Sequence, residues 1–437
     1  MASRHKEEGM KNQEMIKRMI HGSNNSRLTV VHRHGPCSPL GRWKHLNHHR
    51  LLRQDQYRVQ SLHHRLSFPT ASKPTKLGTS LAGVTTPSRS GIPLGTGNYI
   101  ITVGFGTPKR DFTVIFDTGS DLTWIQCEPC VKCYAQNETL FDPSQSSTYS
   151  NIPCSSSDCS LPSGQTDCDS SNDCRYVVEY GDRSSSVGIL AQETLTLTLS
   201  DVLTDFRFGC GGENEGLFGR AAGLIGLGRG EVSLVSQSAE KYGGVFSYCL
   251  PSRSSSTGYL MLGAATQTPN IKFTTMPTES YAPSFYFVEL TGLTVGGRDL
   301  SIASSVFSNV GTIIDSGTVI TRLPMQAYTA LRSEFRQHMT KYQLVQPFVI
   351  LDTCYNFTGY NHITIPAVVL QFSNGVSLYV DASGILYFAS LSQACLAFAG
   401  NDDENAVSIV GNMQQRTFNV VYDVPNGRIG FGSGGCG

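Results

Sequence analysis

Hydrophobic residues occur along this chain mostly as short runs rich in Val, Ile, Thr and Tyr, separated by Gly, Ser, Asn and Pro. Such runs are typical of strands, and the scarcity of helical spacing predicts a mainly β protein. The clearest helix of the later chain is expected at 323–342, where Ala327, Leu331 and Phe335 recur at helical spacing. An irregular helical stripe at 46–66 is formed by Leu51, Leu52, Tyr57, Val59, Leu62 and Leu66.

Two of the strand-like runs end in an acid, a hydroxyl residue and a glycine. Residues 112–116 lead into Asp117-Thr118-Gly119, and residues 311–314 lead into Asp315-Ser316-Gly317, so that the two acids are 198 positions apart. One such turn is common, because Asp and Gly dominate turns in general, and here Gly119 is expected to supply backbone angles that Thr118 resists. Two copies about one lobe apart predict an internal duplication that brings Asp117 and Asp315 into one site.

Paired carboxylates point to hydrolysis of an amide. Two carboxyl groups within hydrogen-bonding reach do not easily both ionise, so they tend to share one proton. One then takes a proton from water while the other polarises the carbonyl, with no metal and no cofactor. Ser120 and Thr318 are expected to donate hydrogen bonds to the two carboxylates, and Thr118 and Ser316 to link the two turns.

On these motifs, the chain from about residue 99 to 437 resembles the pepsin-like aspartic proteases, and most closely the plant nepenthesin-type branch. The matching segments are Phe116-Asp117-Thr118-Gly119-Ser120-Asp121-Leu122-Thr123-Trp124, Asp315-Ser316-Gly317-Thr318, Tyr180-Gly181-Asp182, Gly223-Leu224-Ile225-Gly226 and Ile409-Val410-Gly411. The resemblance implies an all-β, bilobal fold with two pseudo-twofold-related β lobes and few short helices.

The resemblance also implies roles for particular residues. Asp117 and Asp315 are the expected catalytic pair, and Tyr180 is the expected tyrosine of a mobile flap, hydrogen-bonded to Trp124. The expected substrate-binding residues are Tyr180, Gly181, Asp182, Gly119, Ser120, Gly317 and Thr318. The segments 223–226 and 409–411, each an apolar pair followed by a glycine, are expected to support the catalytic turns.

Charge divides the chain into a basic leader and an acidic body. Residues 1–89 carry a net charge of +12 with histidine counted as neutral, and the remainder carries −12. Nine of the 11 histidines also lie in residues 1–89. Opposite charges predict attraction between the two parts, so residues 1–66 are interpreted as an inhibitory prosegment. We expect a linker with the maturation site at 67–98, an N-terminal lobe with a Cys-rich insert at 99–275 and a C-terminal lobe at 276–437. Acid is expected to release the leader, because it neutralises body carboxylates and charges leader histidines.

Of the 13 cysteines, Cys37 lies in the leader and 12 lie in the body. An even dozen predicts six disulfides and an oxidising compartment, and the less favoured alternative is a metal cluster at Cys127-x2-Cys130-x2-Cys133. Spacing alone does not decide the pairing. The nepenthesin resemblance implies the pairs Cys127–Cys130, Cys133–Cys210, Cys154–Cys174, Cys159–Cys168, Cys249–Cys436 and Cys354–Cys395.

The expected location rests on the cysteines. The first 20 residues are charged and contain no secretory signal, and no stretch approaches the ~18 apolar residues of a membrane span. We expect a secreted, apoplastic protein whose signal is missing from this start, with plastid or vacuole as alternatives. Sequons at Asn24, Asn137 and Asn356 are consistent with a glycoprotein.

The predicted function is therefore an aspartic endopeptidase made as a proenzyme, expected to be a monomer whose partners are protein or peptide substrates and its own prosegment. Two alternatives remain: a non-catalytic binding or inhibitor protein on the same fold, and a nucleic-acid-binding protease. The acidic body does not favour nucleic acid. Histidines at 45, 48 and 49 are interpreted as a solvated face of the leader, in preference to a metal site.

Overall fold

The computed structural model describes residues 47–67, 83–86, 89–90, 97–160, 166–180, 184–216, 218–252, 256–263, 270–390 and 392–436. It is predominantly β and two-lobed, which confirms the predicted fold class. The N-terminal lobe contains β1 (Gly83–Thr86), β2 (Arg89–Ser90), β3 (Tyr99–Phe105), β4 (Arg110–Asp117), β5 (Trp124–Gln126), β6 (Ser150–Asn151), β7 (Thr166–Cys168), β8 (Cys174–Glu179), β9 (Ser185–Thr196), β10 (Val202–Glu215), β11 (Gly223–Gly226), β12 (Val245–Cys249) and β13 (Tyr259–Gly263).

The chain from residue 270 onward adds fifteen strands. They are β14 (Lys272–Thr275), β15 (Leu290–Val295), β16 (Arg298–Asp299), β17 (Thr312–Ile314), β18 (Thr321–Leu323), β19 (Gln343–Val345), β20 (Cys354–Asn356), β21 (Val368–Phe372), β22 (Val376–Tyr379), β23 (Leu386–Ser390), β24 (Gln393–Leu396), β25 (Phe398–Gly400), β26 (Ser408–Val410), β27 (Asn419–Asp423) and β28 (Arg428–Gly432).

Helices are few in the described chain. They are α1 (His48–Ser67), α2 (Leu234–Gln237), α3 (Ala239–Tyr242), α4 (Ser305–Ser308), α5 (Met325–His338) and α6 (Ala382–Ile385), with 3₁₀ turns at Pro143–Gln145, Ser157–Ser160 and Ser373–Gly375. The predicted helix at 323–342 is thus present as α5, with Ala327, Leu331 and Phe335 buried. Neither α1 nor any other helix of the described residues combines the length and hydrophobicity that a membrane crossing requires.

Each acidic turn lies at the end of a strand paired in parallel with a distant strand. In the N-terminal lobe β4 pairs with β11, which places Gly226 opposite Asp117. In the C-terminal lobe β17 pairs with β26, which places Val410 opposite Ile314, the residue before Asp315. The two predicted supporting segments therefore lie beside the two turns. The same arrangement of strand, turn and parallel partner occurs twice, as the predicted internal duplication requires.

A six-stranded sheet, in the order β1-β13-β12-β27-β28-β14, joins strands from both lobes. Its core includes Phe246 stacked on Tyr422, with ring centroids 4.3 Å apart.

Within residues 67–98 the structure corrects the prediction of a linker, because two short segments form strands. The segment Gly83–Thr86 is β1 and pairs with β13, while Arg89–Ser90 is β2 and pairs with β3. The sequence Gly-Val-Thr-Thr of β1 is rich in β-branched residues, which favour a strand over an unpaired linker.

Six disulfides are present among the described residues, as the dozen body cysteines predicted, but four of the expected pairs are wrong. Cys249–Cys436 and Cys354–Cys395 are as expected. The other four bonds are Cys127–Cys210, Cys130–Cys133, Cys154–Cys168 and Cys159–Cys174, in place of the expected Cys127–Cys130, Cys133–Cys210, Cys154–Cys174 and Cys159–Cys168.

Strand register explains the first correction. The parallel pairing of β5 with β10 sets Cys210 opposite Ile125, and the amide of Cys127 donates to the carbonyl of Gly211. The Cα atoms of Cys127 and Cys210 are consequently 5.3 Å apart, within the range a disulfide requires. Cys130 and Cys133 remain in the following loop and bond to each other. All three cysteines of the spacing considered for a metal cluster are therefore disulfide-bonded.

The second correction concerns the two cysteines of a hairpin. The hairpin of β7 and β8 places Cys168 directly opposite Cys174. Each of the two bonds to a cysteine outside the hairpin, Cys168 to Cys154 and Cys174 to Cys159, with Cα separations of 5.8 and 5.6 Å. Cys37 lies outside the described residues.

Candidate active site

The two acids lie at the bottom of the interlobe cleft, and their hydrogen-bond donors are equivalent. Both side chains are fully buried. The carboxylate of Asp117 accepts hydrogen bonds from the Ser120 hydroxyl at 2.7 Å and from the Gly119 amide at 3.0 Å. The carboxylate of Asp315 accepts them from the Thr318 hydroxyl at 2.6 Å and from the Gly317 amide at 3.1 Å. The predicted contacts of Ser120 and Thr318 are both present.

The glycines of the turns are needed for a different reason from the one predicted. Neither Gly119 nor Gly317 has a positive φ, so the expectation about backbone angles at Gly119 was wrong. A Cβ atom at Gly119 would lie 2.8 Å from an oxygen of Asp315, and one at Gly317 would lie 2.3 Å from an oxygen of Asp117. Each glycine is thus required because the opposite carboxylate approaches its backbone closely.

The second residues of the two turns tie the lobes together, as predicted. The amide of Thr118 donates to the Ser316 hydroxyl at 3.1 Å, and the amide of Ser316 donates to the Thr118 hydroxyl at 2.9 Å. Sequence reasoning missed Gln415, whose side-chain amide donates to the carbonyl of Asp315 at 3.2 Å. The two reciprocal hydrogen bonds between Thr118 and Ser316 hold the turns together, and with them the two carboxylates.

An arginine from the leader helix α1 lies between the acids. One nitrogen of Arg58, Nη2, is 2.6 Å from an oxygen of Asp117 and 3.0 Å from an oxygen of Asp315. Its Nε donates to Asp315 as well, at 3.2 Å. The same nitrogen can contact both carboxylates only because they face each other, which establishes the predicted proximity of Asp117 and Asp315.

This ion cluster shifts the pKa of every member. Burial alone would lower the pKa of Arg58, but the charges of Asp117 and Asp315 outweigh burial and raise it. Burial would likewise raise the pKa of Asp117, but Arg58 and the donors Ser120 and Gly119 lower it below its usual value. For Asp315, burial prevails together with the charge of Asp117, so its pKa is raised.

The expected flap tyrosine is in place at the rim of the cleft. The indole nitrogen of Trp124 donates to the Tyr180 hydroxyl at 2.9 Å, as the resemblance implied. The Tyr180 ring also packs edge-on against Phe218, with centroids 5.5 Å apart. Tyr180 lines the same cavity as Arg58 and Gly317. Gly181 and Asp182, the other expected flap residues, lie outside the described residues.

Helix α1 occupies the cleft along the wall of the C-terminal lobe. Leu51 and Leu52 pack with Val319 and Phe348, while its later apolar residues Val59, Leu62 and Leu66 pack with Phe287, Ile313 and Ile409. Tyr57, predicted to belong to the apolar stripe, is instead 44% exposed. Asp55 lies on the buried face of α1 in its place and forms an ion pair with the buried Arg322.

No cluster of three or more His, Cys, Asp or Glu side chains suited to a metal ion occurs in the described part of the chain. Of the leader histidines considered earlier, His48 contacts the Tyr387 hydroxyl at 2.7 Å, and His49 packs against the Phe348 ring. His45 lies outside the described residues. Both described histidines therefore contribute to docking of α1.

Family models match both lobes. One described as "Xylanase inhibitor N-terminal" matches residues 99–264, and one described as "Xylanase inhibitor C-terminal" matches residues 285–433. Solved structures similar to the chain include edgp, with a TM-score of 0.67 at 20% identity over 83% of this chain and 96% of that one. Basic 7S globulin from soybean has a TM-score of 0.64 at 21% identity over 80% and 96%. These two likenesses support the fold.

Curated relatives are closer in sequence. An aspartyl protease family protein of Arabidopsis thaliana is 49% identical over 94% of this chain and 87% of its own length. Aspartyl protease AED1 of the same plant is 48% identical over the same shares. Aspartic proteinase nepenthesin-2 of Nepenthes gracilis is 39% identical over 82% and 81%. The chain therefore belongs to the nepenthesin-type, pepsin-like family of plant aspartic proteases.

Proposed function

We propose that this protein is an aspartic endopeptidase, made as a precursor that its own leader helix keeps inactive. The observation that carries the proposal is the placement of Asp117 and Asp315 on either side of a single cationic nitrogen, with equivalent hydrogen-bond donors behind them. A site that holds one cation between two carboxylates can also hold a water molecule there once the cation leaves.

In the processed enzyme the two acids share a proton, since burial and mutual repulsion oppose double ionisation. The ionised carboxylate takes a proton from the water, whose oxygen bonds to the peptide carbonyl carbon, while the protonated carboxyl gives its proton to the carbonyl oxygen. The proton taken from water then passes to the amide nitrogen, the C–N bond breaks, and an amine and a carboxylic acid leave, with one proton returned to the pair. Ser120 and Thr318 hold the carboxylates in orientation. Tyr180 and its flap cover an extended peptide lying in the cleft.

In the precursor, Arg58 occupies the position of that water, and α1 fills the cleft that the peptide would enter. The guanidinium lowers the pKa of Asp117, while burial and the charge of Asp117 keep the pKa of Asp315 raised. Its nitrogens contact the carboxylate oxygens that would otherwise bind the water and the substrate carbonyl. Inhibition therefore has a steric part, from α1, and a chemical part, from Arg58.

Acid favours release of α1 in two ways. Protonation of the dyad weakens its attraction for Arg58. Two histidines of α1 act in the same direction: burial lowers the pKa of His63, whose Nε2 lies 2.9 Å from the Val407 carbonyl, and it lowers the pKa of His48. Since the docked position disfavours their charged forms, their contribution to docking is complete above the usual pKa of about 6.5 and falls as pH drops below it.

We further propose an oxidising, extracellular location and a monomeric protein. The six disulfides support the oxidising compartment, because cytosolic reductants would not preserve them.

The test is hydrolysis of a denatured protein by the purified full chain at pH 4, after it has been held at pH 4 to allow processing. The wild type is expected to cleave internal peptide bonds, and a statine-type inhibitor is expected to stop it. Asp117→Asn, which keeps the shape of the side chain, is the matched control and should be inactive. Equal cleavage by Asp117→Asn, or none by the wild type, would overturn the proposal.

The second candidate is a binding or inhibitor protein, favoured by the descriptions of the two family models as xylanase inhibitor domains. Inhibition of a xylanase that is unchanged in Asp117→Asn, without proteolysis, would support it. The intact dyad favours the peptidase. A nucleic-acid role would require DNA binding by the processed, acidic body, measured by a salt-dependent gel shift.

A further inference from the structure

A second buried ion pair between α1 and the body lies beside the dyad and is not needed to block it. The carboxylate of Asp55 lies 3.0 Å from Nη2 of Arg322, and both side chains are at most 1% exposed. The same carboxylate accepts hydrogen bonds from the backbone amides of Val319 at 2.5 Å and Ile320 at 3.2 Å. Three donors from the body thus converge on one carboxylate from the leader.

All of these donors belong to the wall of the C-terminal lobe. Val319 and Ile320 directly follow the catalytic turn, and Arg322 lies on β18. Arg322 Nη1 is held by the carbonyl of Ile320 at 2.8 Å, so the guanidinium keeps an anchor that does not depend on the leader. Asp55 is the only carboxylate within ion-pair distance of Arg322 among the described residues.

Removal of α1 would leave this three-donor cradle empty and open to the cleft. Asp55, Arg58, Tyr180, Gly317 and Val319 line one cavity, so the cradle shares the space that a peptide substrate would enter. Once α1 has left, water can solvate the guanidinium and the two amides, and a carboxylate can replace that water and accept hydrogen bonds from all three donors. The chemistry that fits is the one the leader already supplies.

We propose that Arg322, with the amides of Val319 and Ile320, forms a subsite of the processed enzyme that selects a carboxylate, in the form of an Asp or Glu side chain of the substrate. This inference rests on the proposed peptidase function. Asp55 and Arg58 are separated by less than one helical turn, about 4.5 Å of rise, and an extended peptide advances about 3.3 Å per residue. The acidic residue therefore lies within about three residues of the scissile bond.

After processing, the alternative partner for Arg322 is a neighbouring carboxylate of the body. Asp402 acts on Arg322 through its charge and, in the precursor, accepts a hydrogen bond from Gln56 at 2.9 Å. If Asp402 moved onto Arg322 after processing, the subsite would be filled. Asp402→Asn removes this competitor and is expected to leave or strengthen the acidic preference.

The test is digestion, by the processed enzyme at pH 5, of a mixed peptide library in which Asp and Glu alternate with Asn and Gln. We expect acidic residues to be enriched about tenfold over their amides at one position near the scissile bond, as a charge-assisted hydrogen bond predicts. The preference should fall as pH drops below about 4, where the substrate carboxyl protonates. Peptides with free and amidated C-termini separate side-chain recognition from recognition of a chain end.

Variants keep the result interpretable. Arg322→Gln should lose the preference but still cleave neutral peptides, and Arg322→Lys should restore part of it. Because Arg322→Gln leaves Asp55 buried without a cation, the double variant Asp55→Asn, Arg322→Gln is the version expected to fold. Asp55→Asn alone is the matched control: it alters only the discarded leader, so its processed form should retain the wild-type preference.

Enrichment at no position, or enrichment that persists in both Arg322→Gln backgrounds, would overturn the subsite while leaving the peptidase intact. A preference for free C-termini alone would overturn the assignment to a side chain. Absence of cleavage of every peptide by the wild type would instead be a failure of the proposed function, and the subsite would fall with it.

Discussion

The two catalytic turns are built alike, but the leader helix contacts them differently. Each turn supplies one hydroxyl and one glycine amide to its own carboxylate, and each exchanges a hydrogen bond with the other turn. The first turn is contacted by arginines, Arg58 on Asp117 and Arg65 on the carbonyl of Gly119 at 2.9 Å. The second also receives the carboxylate of Asp55 just beyond it.

The pKa values of the two acids shift in opposite directions. Burial would raise the pKa of Asp117, but Arg58, Ser120 and Gly119 lower it, whereas for Asp315 burial and the charge of Asp117 outweigh Arg58 and raise the pKa. The turns themselves provide nearly the same donors at nearly the same distances. Since Arg58 lowers the pKa of both acids, both pKa values should rise when the leader is removed.

The largest loss of activity is expected when either catalytic acid is substituted. Asp117→Asn and Asp315→Asn should each reduce kcat of the processed enzyme by about a thousandfold or more, because each removes one half of a shared acid–base pair. The double variant should be no worse than either single variant, since the pair acts as one unit. Steady-state hydrolysis of a fluorogenic peptide measures all three. Additive losses would mean that the carboxylates act independently.

A smaller effect is expected from the arginine that distinguishes the turns. Arg58→Gln should raise the peptidase activity of unprocessed chain at pH 6 by about tenfold or more, because two buried carboxylates lose their cation and α1 docks less tightly. Arg53→Gln is the matched control, since Arg53 lies exposed on the same helix. Equal latency of wild type and Arg58→Gln would show that Arg58 is not part of the inhibition.

The hydroxyl donors test the turns themselves, with losses of about tenfold expected for each. The Ser120 hydrogen bond lowers the pKa of Asp117 and the Thr318 hydrogen bond lowers that of Asp315, so Ser120→Ala and Thr318→Ala should each raise the pKa of the pair. Because the two acids titrate as one unit, each variant should move the pH profile of kcat/KM upward. Thr318→Ser, which keeps the hydroxyl, should leave the profile unchanged.

The smallest effect is expected from His63, which reaches β26 beside the second turn. The charges around it are Arg322, which opposes its protonation, and Asp402 and Asp403, which favour it. His63→Gln retains a neutral donor for the Val407 carbonyl but cannot take up a proton. Its activation at pH 5 should therefore slow by a few-fold, and the half-maximal rate should shift to lower pH. Activation rates that match the wild type at every pH would remove His63 from the acid response.

The dyad and its immediate donors could be predicted from the sequence because they lie within four residues of each acid. The parallel partners of β4 and β17 were likewise marked by apolar segments ending in glycine. The need for Gly119 was predicted, but for the wrong reason, since the approach of Asp315 depends on a contact between segments 198 residues apart.

The remaining features that the sequence did not predict depend on contacts between distant segments. Which cysteine bonds to Cys127 depends on the register of β5 against β10, which spacing along the chain does not contain. Arg58 and Asp55 were counted only as charges of the leader, because their partners follow from how α1 docks. A signal was available in Asp55: it is the single acid in a helix otherwise basic, and it occupies a position of the apolar face.

The most direct test of the account is a pH jump of the purified precursor from 7 to 4, with peptide hydrolysis and the N-terminal sequence followed together. We expect activity to appear only as α1 leaves, with the new N-terminus before Gly83, because β1 belongs to the body sheet. Full activity while α1 is still docked in the cleft, or complete loss of α1 without any hydrolysis, would contradict the account.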